Sequence, residues 1–441
     1  MTALAQKDAN QKDSNQKDAK KKKGLPPEIV APVQPTPFSE VKRDLLLNGM
    51  QVISLARGNE GKLRCDLVVR SGAMFDLVYK TGVAKLTQET LLAANPNLAT
   101  ELESLQAKME WGVTSDHTWY RIESPTSNFD TVMEIIGRLL VVENVRQDAF
   151  KRVQQAQLEK LKTAAAPTPA ERAEAKFQAE IYGDHPYGHN VDGTVKSVSN
   201  IVWADVHEFY KRYYLANNAY TVITGDIRQE RAVNIFKAFF GGWVKSSIVP
   251  MTFRQPQRIT ELKLVKVEAP DMSTVEWRGG VIGVKVSDQD YIAVNLLARV
   301  LEARLKKDLT DLTGSFSVKA LPVALPGPFY LSASISADRA PEFSRKATER
   351  FAALSASPVS AEELAAAQAS LSAEHSAQPV EDQLREIEMF ALPRNYALIF
   401  AERITAVTPA ELQRVAKRLL DANALTVVVL GKLGEHLKSQ M

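Results

Sequence analysis

Residues 82–90 read Gly-Val-Ala-Lys-Leu-Thr-Gln-Glu-Thr and contain three polar side chains at the spacing of a metal site. Lys85, Gln88 and Glu89 lie at i, i+3 and i+4, so a helix places them on one face. In the pattern H-x-x-E-H, the two histidines bind zinc and the glutamate polarises the attacking water. A charged lysine cannot donate a lone pair to zinc, and a glutamine cannot take the proton of a water. The segment therefore predicts the helix of a zinc site without its ligands.

Other candidate groups in the sequence offer weaker replacements for such a site. His185 and His189 are four residues apart, but a proline and a glycine lie between them and predict a loop. A loop site that adds Asp184 or Asp192 stays possible, although structural histidines are favoured. Cys65 is the only cysteine and lies in an apolar run, which favours a buried thiol over a reactive one.

The apolar periodicity predicts a mixture of helices and strands that could position these residues. The predicted strands are 51–56, 63–70, 117–124, 219–225, 263–268, 275–286, 315–320, 329–336 and 425–430. The predicted helices are 83–93, 98–110, 128–142, 147–162, 170–181, 203–214, 228–240, 288–308, 340–355, 360–373, 380–391, 395–404 and 409–421. The helix over 83–93 carries the three polar residues described above.

Composition limits the class of protein. The chain has 441 residues, 45% hydrophobic and 24% charged, which is typical of a globular protein of more than one domain. The net charge is only +3. Three near-copies of a Gln-Lys-Asp pentad followed by a lysine run account for this excess and the rest of the chain is close to neutral, so nucleic-acid binding is not indicated. We expect this low-complexity tail and the following Pro-rich linker, residues 1–37, to be disordered. No apolar run is long enough to span a membrane.

An internal duplication predicts two similar halves. Residues 205–225 and 410–431 share a Lys-Arg pair, an Asn-Ala pair, a β-branched run and a final glycine, at an offset of about 205 residues. The sequence therefore predicts an α+β fold of two homologous domains, each a mixed sheet with packed helices. The predicted boundaries are 38–247 for the N-terminal domain, 248–259 for a linker and 260–441 for the C-terminal domain.

Four stretches resemble the pitrilysin-type inverzincin peptidases, in particular the short class related to mitochondrial processing peptidase and the core proteins of respiratory complex III. These stretches are Asn48–Val52, Arg70–Ala73, Gly183–His189 and Tyr213–Ala219. Together with the duplication, the resemblance covers about residues 40–435. It implies the duplicated pitrilysin-like fold, in a member that lacks H-x-x-E-H.

The resemblance also implies where further functional residues would lie. The third zinc ligand of the family is a glutamate on a later helix, here 147–162, where Glu159 could take that place but is better explained as a solvated charge. An arginine and a tyrosine from the second half, which support the tetrahedral intermediate in the family, fall on Thr310 and Phe316. On this alignment the chain has no catalytic residue and no metal ligand.

Two main functions stay open, with a weaker third. The favoured one is a non-catalytic subunit of a heteromeric zinc metallopeptidase, forming half of a peptide-degrading chamber with a partner that bears H-x-x-E-H. The second is a peptidase with an unorthodox site, built from Lys85, Gln88 and Glu89 or from the loop of His185 and His189. The third is a purely structural assembly protein. The chain on its own is therefore not expected to be an enzyme.

The resemblance implies partners and a cofactor as well. We expect this chain to bind no zinc and the partner subunit to bind it. We expect the two chains to form a heterodimer or a dimer of heterodimers, with peptide substrates in the shared chamber. The strand near 116–123 would be a remnant of the family's peptide site or a secondary one, used by strand addition. Ala3-Leu4-Ala5 has the form of a signal-peptidase site and favours the periplasm, with the cytoplasm as the alternative.

Overall fold

The computed structural model describes residues 37–58, 61–163, 168–248, 252–309 and 314–433. The first described residues, Pro37–Ser39, fall outside the compact unit that begins at Glu40, and the fold below is that of this unit. The predictions for the tail, for linker residues 249–251 and for Thr310 lie outside the described residues. No helix in the described ranges is long and apolar enough to cross a membrane.

Strands and helices alternate along the described chain. The strands are β1 Lys42–Leu45, β2 Gln51–Ala56, β3 Lys62–Val69, β4 Lys108–Val113, β5 Thr118–Pro125, β6 Ala219–Gly225, β7 Lys263–Glu268, β8 Thr274–Ile282, β9 Gly314–Ala320, β10 Pro328–Ser336 and β11 Thr426–Gly431. The helices are α1 Val83–Ala93, α2 Leu98–Ser104, α3 Phe129–Val141, α4 Gln147–Lys162, α5 Pro169–Tyr182, α6 Val195–Asn200, α7 Trp203–Tyr213, α8 Gln229–Phe240, α9 Tyr291–Asp308, α10 Ala340–Ala356, α11 Ala361–Ala377, α12 Val380–Met389, α13 Tyr396–Ala406 and α14 Pro409–Leu419.

The strands form two sheets of the same topology. The first has the order β1-β2-β6-β3-β5-β4 and the second β7-β11-β8-β10-β9. In each sheet one pair is parallel, β2 with β6 and β7 with β11, and the other pairs are antiparallel. The second sheet thus repeats the first without a described counterpart of β1. The predicted α+β fold of two homologous mixed sheets with packed helices is confirmed, while the domain boundaries stay predictions.

Each half contributes one helix to the other half's sheet. Helix α5, from the first half, packs on β8 and β11 of the second sheet, and α12, from the second half, packs on β6 of the first. On α5, the Phe177 ring stacks on Tyr330 of β10 with centroids 5.1 Å apart, and the Tyr182 hydroxyl donates to the Pro326 carbonyl at 3.1 Å. On the other side, the Tyr220 hydroxyl of β6 donates to the Arg385 carbonyl of α12 at 3.0 Å. Apolar and polar contacts therefore join the two halves in both directions.

A buried carboxylate fixes α12 on the first sheet. Asp66 of β3 accepts from Arg64 at 2.8 Å and from Arg121 of β5 at 2.9 Å, and its side chain is only 3% exposed. Both arginines also reach Asp382 of α12, at 2.6 and 3.2 Å. Each buried charge here has partners of opposite sign, which is what the desolvation of an ion requires.

In the second sheet the central buried charge is positive, whereas in the first sheet it is the negative Asp66. Arg278 of β8 has a side chain only 4% exposed, and its guanidinium donates to Glu276 on the same strand at 3.3 Å. It also donates to Glu174 and to the Ala170 carbonyl of α5, at 3.2 and 3.1 Å. A buried cation thus holds the helix that the first half contributes to this sheet.

Two sequence predictions about the first sheet are wrong. The predicted helix 98–110 ends at Ser104, because Gln106 adopts a left-handed φ of 54° and the chain reverses into β4. The strand near 116–123 is β5, and β3 and β4 occupy both of its edges, so it cannot accept an added peptide strand. One edge of this sheet is β4. Half of its residues are exposed, the others are partly buried, and they do not show the alternating burial that marks a strand.

Replacing Asp66 tests the importance of the buried cluster. Asp66→Ala leaves Arg64 and Arg121 with less compensation in a buried site, so we expect the free energy of unfolding to fall by about 3–5 kcal/mol in urea denaturation. The control is Glu349→Ala, which removes an exposed pair with Arg345 on α10 and should cost less than about 1 kcal/mol. Equal small losses for both variants would contradict this interpretation.

Candidate functional site on helix α1

Helix α1 begins in a tightly packed connection from β3. Gly72 lies against the turn between β4 and β5, where a Cβ would meet the Thr114 carbonyl oxygen at 2.3 Å. Asp76 then accepts hydrogen bonds from the backbone N–H groups of Gly82 at 2.6 Å and Ala84 at 2.9 Å. Gly82 has a φ of 101°, which favours glycine at the position before the helix. The Asp76 carboxyl therefore sets the start of the helix that carries the candidate residues.

Lys85 is fixed by an ion pair. Its ammonium contacts the Asp192 carboxylate, and the lysine and aspartate side chains are 24% and 34% exposed. The backbone carbonyl of Asp192 accepts from the Gln157 amide of α4 at 2.9 Å, and Lys160 lies 3.9 Å from the other carboxylate oxygen. Asp192 therefore links α1, α4 and the segment before α6, and the Lys85 ammonium has a structural partner.

Gln88 is buried and its side chain is hydrogen-bonded to two strands of the first sheet. Its side-chain nitrogen donates to the Trp119 carbonyl of β5 at 3.1 Å and to the Gly112 carbonyl of β4 at 3.3 Å. Both acceptors are backbone oxygens, so the position requires a donor. A carboxylate, which the zinc motif has here, could not make these bonds.

Glu89 is the third candidate residue and the one that carries a carboxylate. It is half-buried and accepts from the indole N–H of Trp111 on β4 at 3.3 Å. The three sequence-predicted positions therefore do lie in one region of α1, and each has a partner in the surrounding protein.

These residues do not fit a zinc ion. The charged Lys85 and the amide Gln88 have neither the lone pair nor the base that the metal chemistry requires, and Glu89 alone supplies a carboxylate. Across the described residues, no group of three or more His, Cys, Asp and Glu side chains is arranged to hold a metal.

Other residues predicted from the sequence lie apart from this face or are used elsewhere. Glu159 is exposed on α4, 4.0 Å from Lys162, while Gln157 takes the inward position. Phe316 of β9 packs against Phe343 with ring centroids 6.0 Å apart, so its ring belongs to the packing of the second half.

The histidine loop forms a structural turn. The His185 Nδ1 accepts from the Tyr187 backbone N–H at 3.1 Å, and its Nε2 donates to the Arg254 carbonyl at 3.0 Å. Burial lowers the pKa of both His185 and His189. The buried Nδ1 of His189 has no hydrogen-bond partner in the described part of the chain. Asp192, which could have completed a loop site, contacts Lys85 instead.

A cavity lies beside this region and involves residues that the sequence did not single out. It has a volume of about 520 Å³ and lies between α4, α5, residues 187–192 and part of the segment between β9 and β10. At its edge the buried Asp116 carboxylate accepts from the Tyr187 hydroxyl and from the Ala324 N–H, so the two halves meet there. Burial raises the pKa of Asp116. Tyr187 belongs to the loop stretch 183–189, but nothing in the sequence indicated its pairing with Asp116.

The environment of Gln88 gives a direct test of its role. Gln88→Glu places a carboxylate against two carbonyl oxygens, so we expect a loss of about 2–4 kcal/mol in the free energy of unfolding at about pH 8. The loss should be smaller at about pH 5, because a protonated carboxyl can donate one hydrogen bond. Gln155→Glu, an exposed position on α4, is the matched control and should change stability little at either pH. A pH-independent loss for Gln88→Glu would contradict this account.

The start of α1 should also respond to pH. Burial raises the pKa of Asp76 to about 7, although hydrogen bonds from Ala84 and Gly82 oppose the shift. Because the unfolded carboxyl ionises near pH 4 and the folded one near 7, stability should fall as the pH rises across that window, by up to about 4 kcal/mol. Asp76→Asn keeps an acceptor for the two N–H groups and should remove this component, measured by urea unfolding from about pH 4 to about pH 8. If the pH dependence of stability were unchanged in Asp76→Asn, its assignment to Asp76 would be contradicted.

Comparisons with known proteins agree with this geometry. The family described as "Peptidase M16 inactive domain" matches residues 200–371. The zinc protease PqqE of Helicobacter pylori is 24% identical over 282 residues, which are 60% of this chain and 63% of that protein. The chain thus spans less than two thirds of that relative's length.

Solved structures share the fold at lower identity. A peptidase M16 inactive domain from Pseudomonas fluorescens matches with a TM-score of 0.81 and 20% identity, over 89% of this chain and 98% of that chain. The periplasmic protease PqqL from Escherichia coli matches with a TM-score of 0.76 and 13% identity, over 91% of this chain but only 48% of that chain. The pitrilysin-type resemblance is confirmed by these findings. Residues 200–371 thus match the family described as the M16 inactive domain, and the repeated sheets have the fold of the M16 structures.

Proposed function

We propose that this chain is a non-catalytic subunit of a heteromeric zinc metallopeptidase. In this proposal it forms half of a peptide-degrading chamber, and a homologous partner with an intact H-x-x-E-H supplies the zinc and the chemistry. The match to an inactive M16 domain supports the non-catalytic part of the proposal.

The observation that carries the proposal is that the polar side chains of α1 make structural contacts. Lys85 pairs with Asp192, and Gln88 donates to two backbone carbonyls, so both positions stabilise the fold with groups that metal chemistry cannot use. A peptidase site built from the same three residues would have to break these contacts before it could act. This weighs against the alternative of an unorthodox site on α1.

The idea of half a chamber rests on chain length. The fold of this chain accounts for 48% of PqqL, which leaves room in that protein for a second region of similar size. We propose that here a separate subunit supplies the other half, in a heterodimer or a dimer of heterodimers. The edge strand β4, which among the described strands pairs only with β5, is the surface on which this chain would hold an extended peptide.

The proposal includes a cofactor in the partner subunit and a cellular location for this chain. Zinc would be bound by the partner and not by this chain. We propose a periplasmic location, supported by the description of the E. coli neighbour as a periplasmic protease. Osmotic-shock fractionation would test it, and recovery of the chain with the cytoplasmic fraction would contradict it.

The test of function is reconstitution. The purified chain, a purified M16 relative with H-x-x-E-H and an equimolar mixture of the two are assayed on a set of fluorogenic peptides. We expect no turnover by this chain alone, and at least about tenfold more activity in the mixture than in the relative alone, because the chamber is completed.

Two controls separate the possible outcomes. Replacing the motif glutamate of the partner by glutamine should abolish the activity of the mixture, which assigns the chemistry to the partner. Turnover by this chain alone would contradict the proposal and favour the unorthodox site. A stable complex of the two chains with unchanged activity would instead favour a purely structural assembly role.

A further inference from the structure

A second cavity lies in the other half of the chain. It has a volume of about 300 Å³, opens to solvent and is lined mainly by α9, α11, α12 and α13. Helix α9 follows β8 in the second sheet as α1 follows β3 in the first, so one wall of this cavity is the second half's counterpart of α1. Its size is at the lower end of that of small-molecule sites.

The charge of this cavity is negative. Glu386 of α12 faces it, and burial raises the pKa of this carboxyl. One of its oxygens accepts from the Gln378 amide at 3.0 Å. Glu374, at the rim, contacts Arg299. Among the described residues that line the cavity, none is lysine or arginine; the cation next to Glu386 is Arg385, which precedes it on α12 and favours the ionised carboxylate.

Aromatic rings form much of the remaining wall. Tyr396 and Phe400 of α13 have ring centroids 5.7 Å apart, and Tyr291 lies at the start of α9. Burial raises the pKa of both phenols, and the nearby Glu386 carboxylate adds to the effect. The faces of such rings attract cations, and a carboxylate among them strengthens that preference.

His375, which also lines the cavity, adds no positive charge to it. The ring of His375 lies 4.5 Å from Phe400 between centroids, and its Nε2 donates to the Ala397 carbonyl at 3.2 Å. Burial lowers the pKa of His375, so the ring is neutral near neutral pH. The cavity therefore presents a carboxylate and aromatic rings, and none of the described residues that line it is lysine or arginine.

We propose that this cavity binds one organic ammonium or guanidinium group, with Glu386 as the counter-ion and the rings of Tyr291, Tyr396 and Phe400 around it. The group could belong to a free amine or to a lysine or arginine side chain of a peptide, since both present the same chemistry. The proposal rests on the second half alone and does not depend on the proposed role in a peptidase complex.

Calorimetric titration of the full chain tests the proposal with matched probes. Nα-acetyl-lysine amide and Nα-acetyl-arginine amide carry the cation, Nα-acetyl-norleucine amide is the neutral isostere, and n-butylamine represents a free amine. We expect at least one cationic probe to bind, with an affinity at least about tenfold above that of the norleucine compound. Binding of butylamine as tight as that of the residue probes would identify a small amine as the source, and weaker binding a peptide side chain.

Variants decide whether this cavity is the binding site. Glu386→Gln should lower the affinity at least about tenfold and remove the preference for the cation. Glu402→Gln removes the same charge from an exposed position on α13 and should leave binding unchanged. Tyr396→Ala, at a half-buried ring, should weaken binding independently if Glu386→Gln does not fold. Equal binding of norleucine amide, absence of binding by every cationic probe, or unchanged affinity in a folded variant at Glu386 or Tyr396 would overturn the proposal.

Discussion

The two buried ionic clusters are the constraint on which the rest of the structure depends. Asp66 in the first sheet and Arg278 in the second are almost completely buried. Arg278 pairs with Glu174 of α5, and the two arginines that pair with Asp66 also pair with Asp382 of α12. Because a buried charge without its partner is strongly destabilising, each sheet requires the helix that the other half contributes. In both sheets the exchanged helix contributes a carboxylate, Asp382 from α12 and Glu174 from α5, to arginines of the sheet.

The α1 face shows how a site can keep its frame and change its chemistry. The Lys85 ammonium with Asp192 and the Gln88 amide with two strand carbonyls join α1 to α4, β4 and β5. In a zinc peptidase, metal coordination contributes to folding at such a place. Here hydrogen bonds and an ion pair join α1 to the neighbouring elements. The proposed function rests on these contacts, because they hold the polar groups of α1 in structural roles.

Much of the fold was predictable because its signals are local. The β-branched runs predicted β2, β6 and β7 with the observed bounds, and apolar periodicity did the same for α1 and α4. Strand β4 was missed, since an exposed edge strand lacks alternating burial and the preceding helix pattern continues into it. The polar positions on α1 were identified from spacing alone, but their partners were not. Asp192 is 107 residues from Lys85 in sequence, and only tertiary packing brings the two together.

The most direct measurement of the central claim is zinc binding by the isolated chain. The purified full chain is dialysed against micromolar zinc at neutral pH, and the bound metal is measured by mass spectrometry. The account predicts far less than one zinc per chain, with no change on replacement of Glu89 by alanine, because the groups on α1 are fixed by protein partners. One zinc per chain, lost on Glu89→Ala, would contradict it and show that the α1 face is still a metal site.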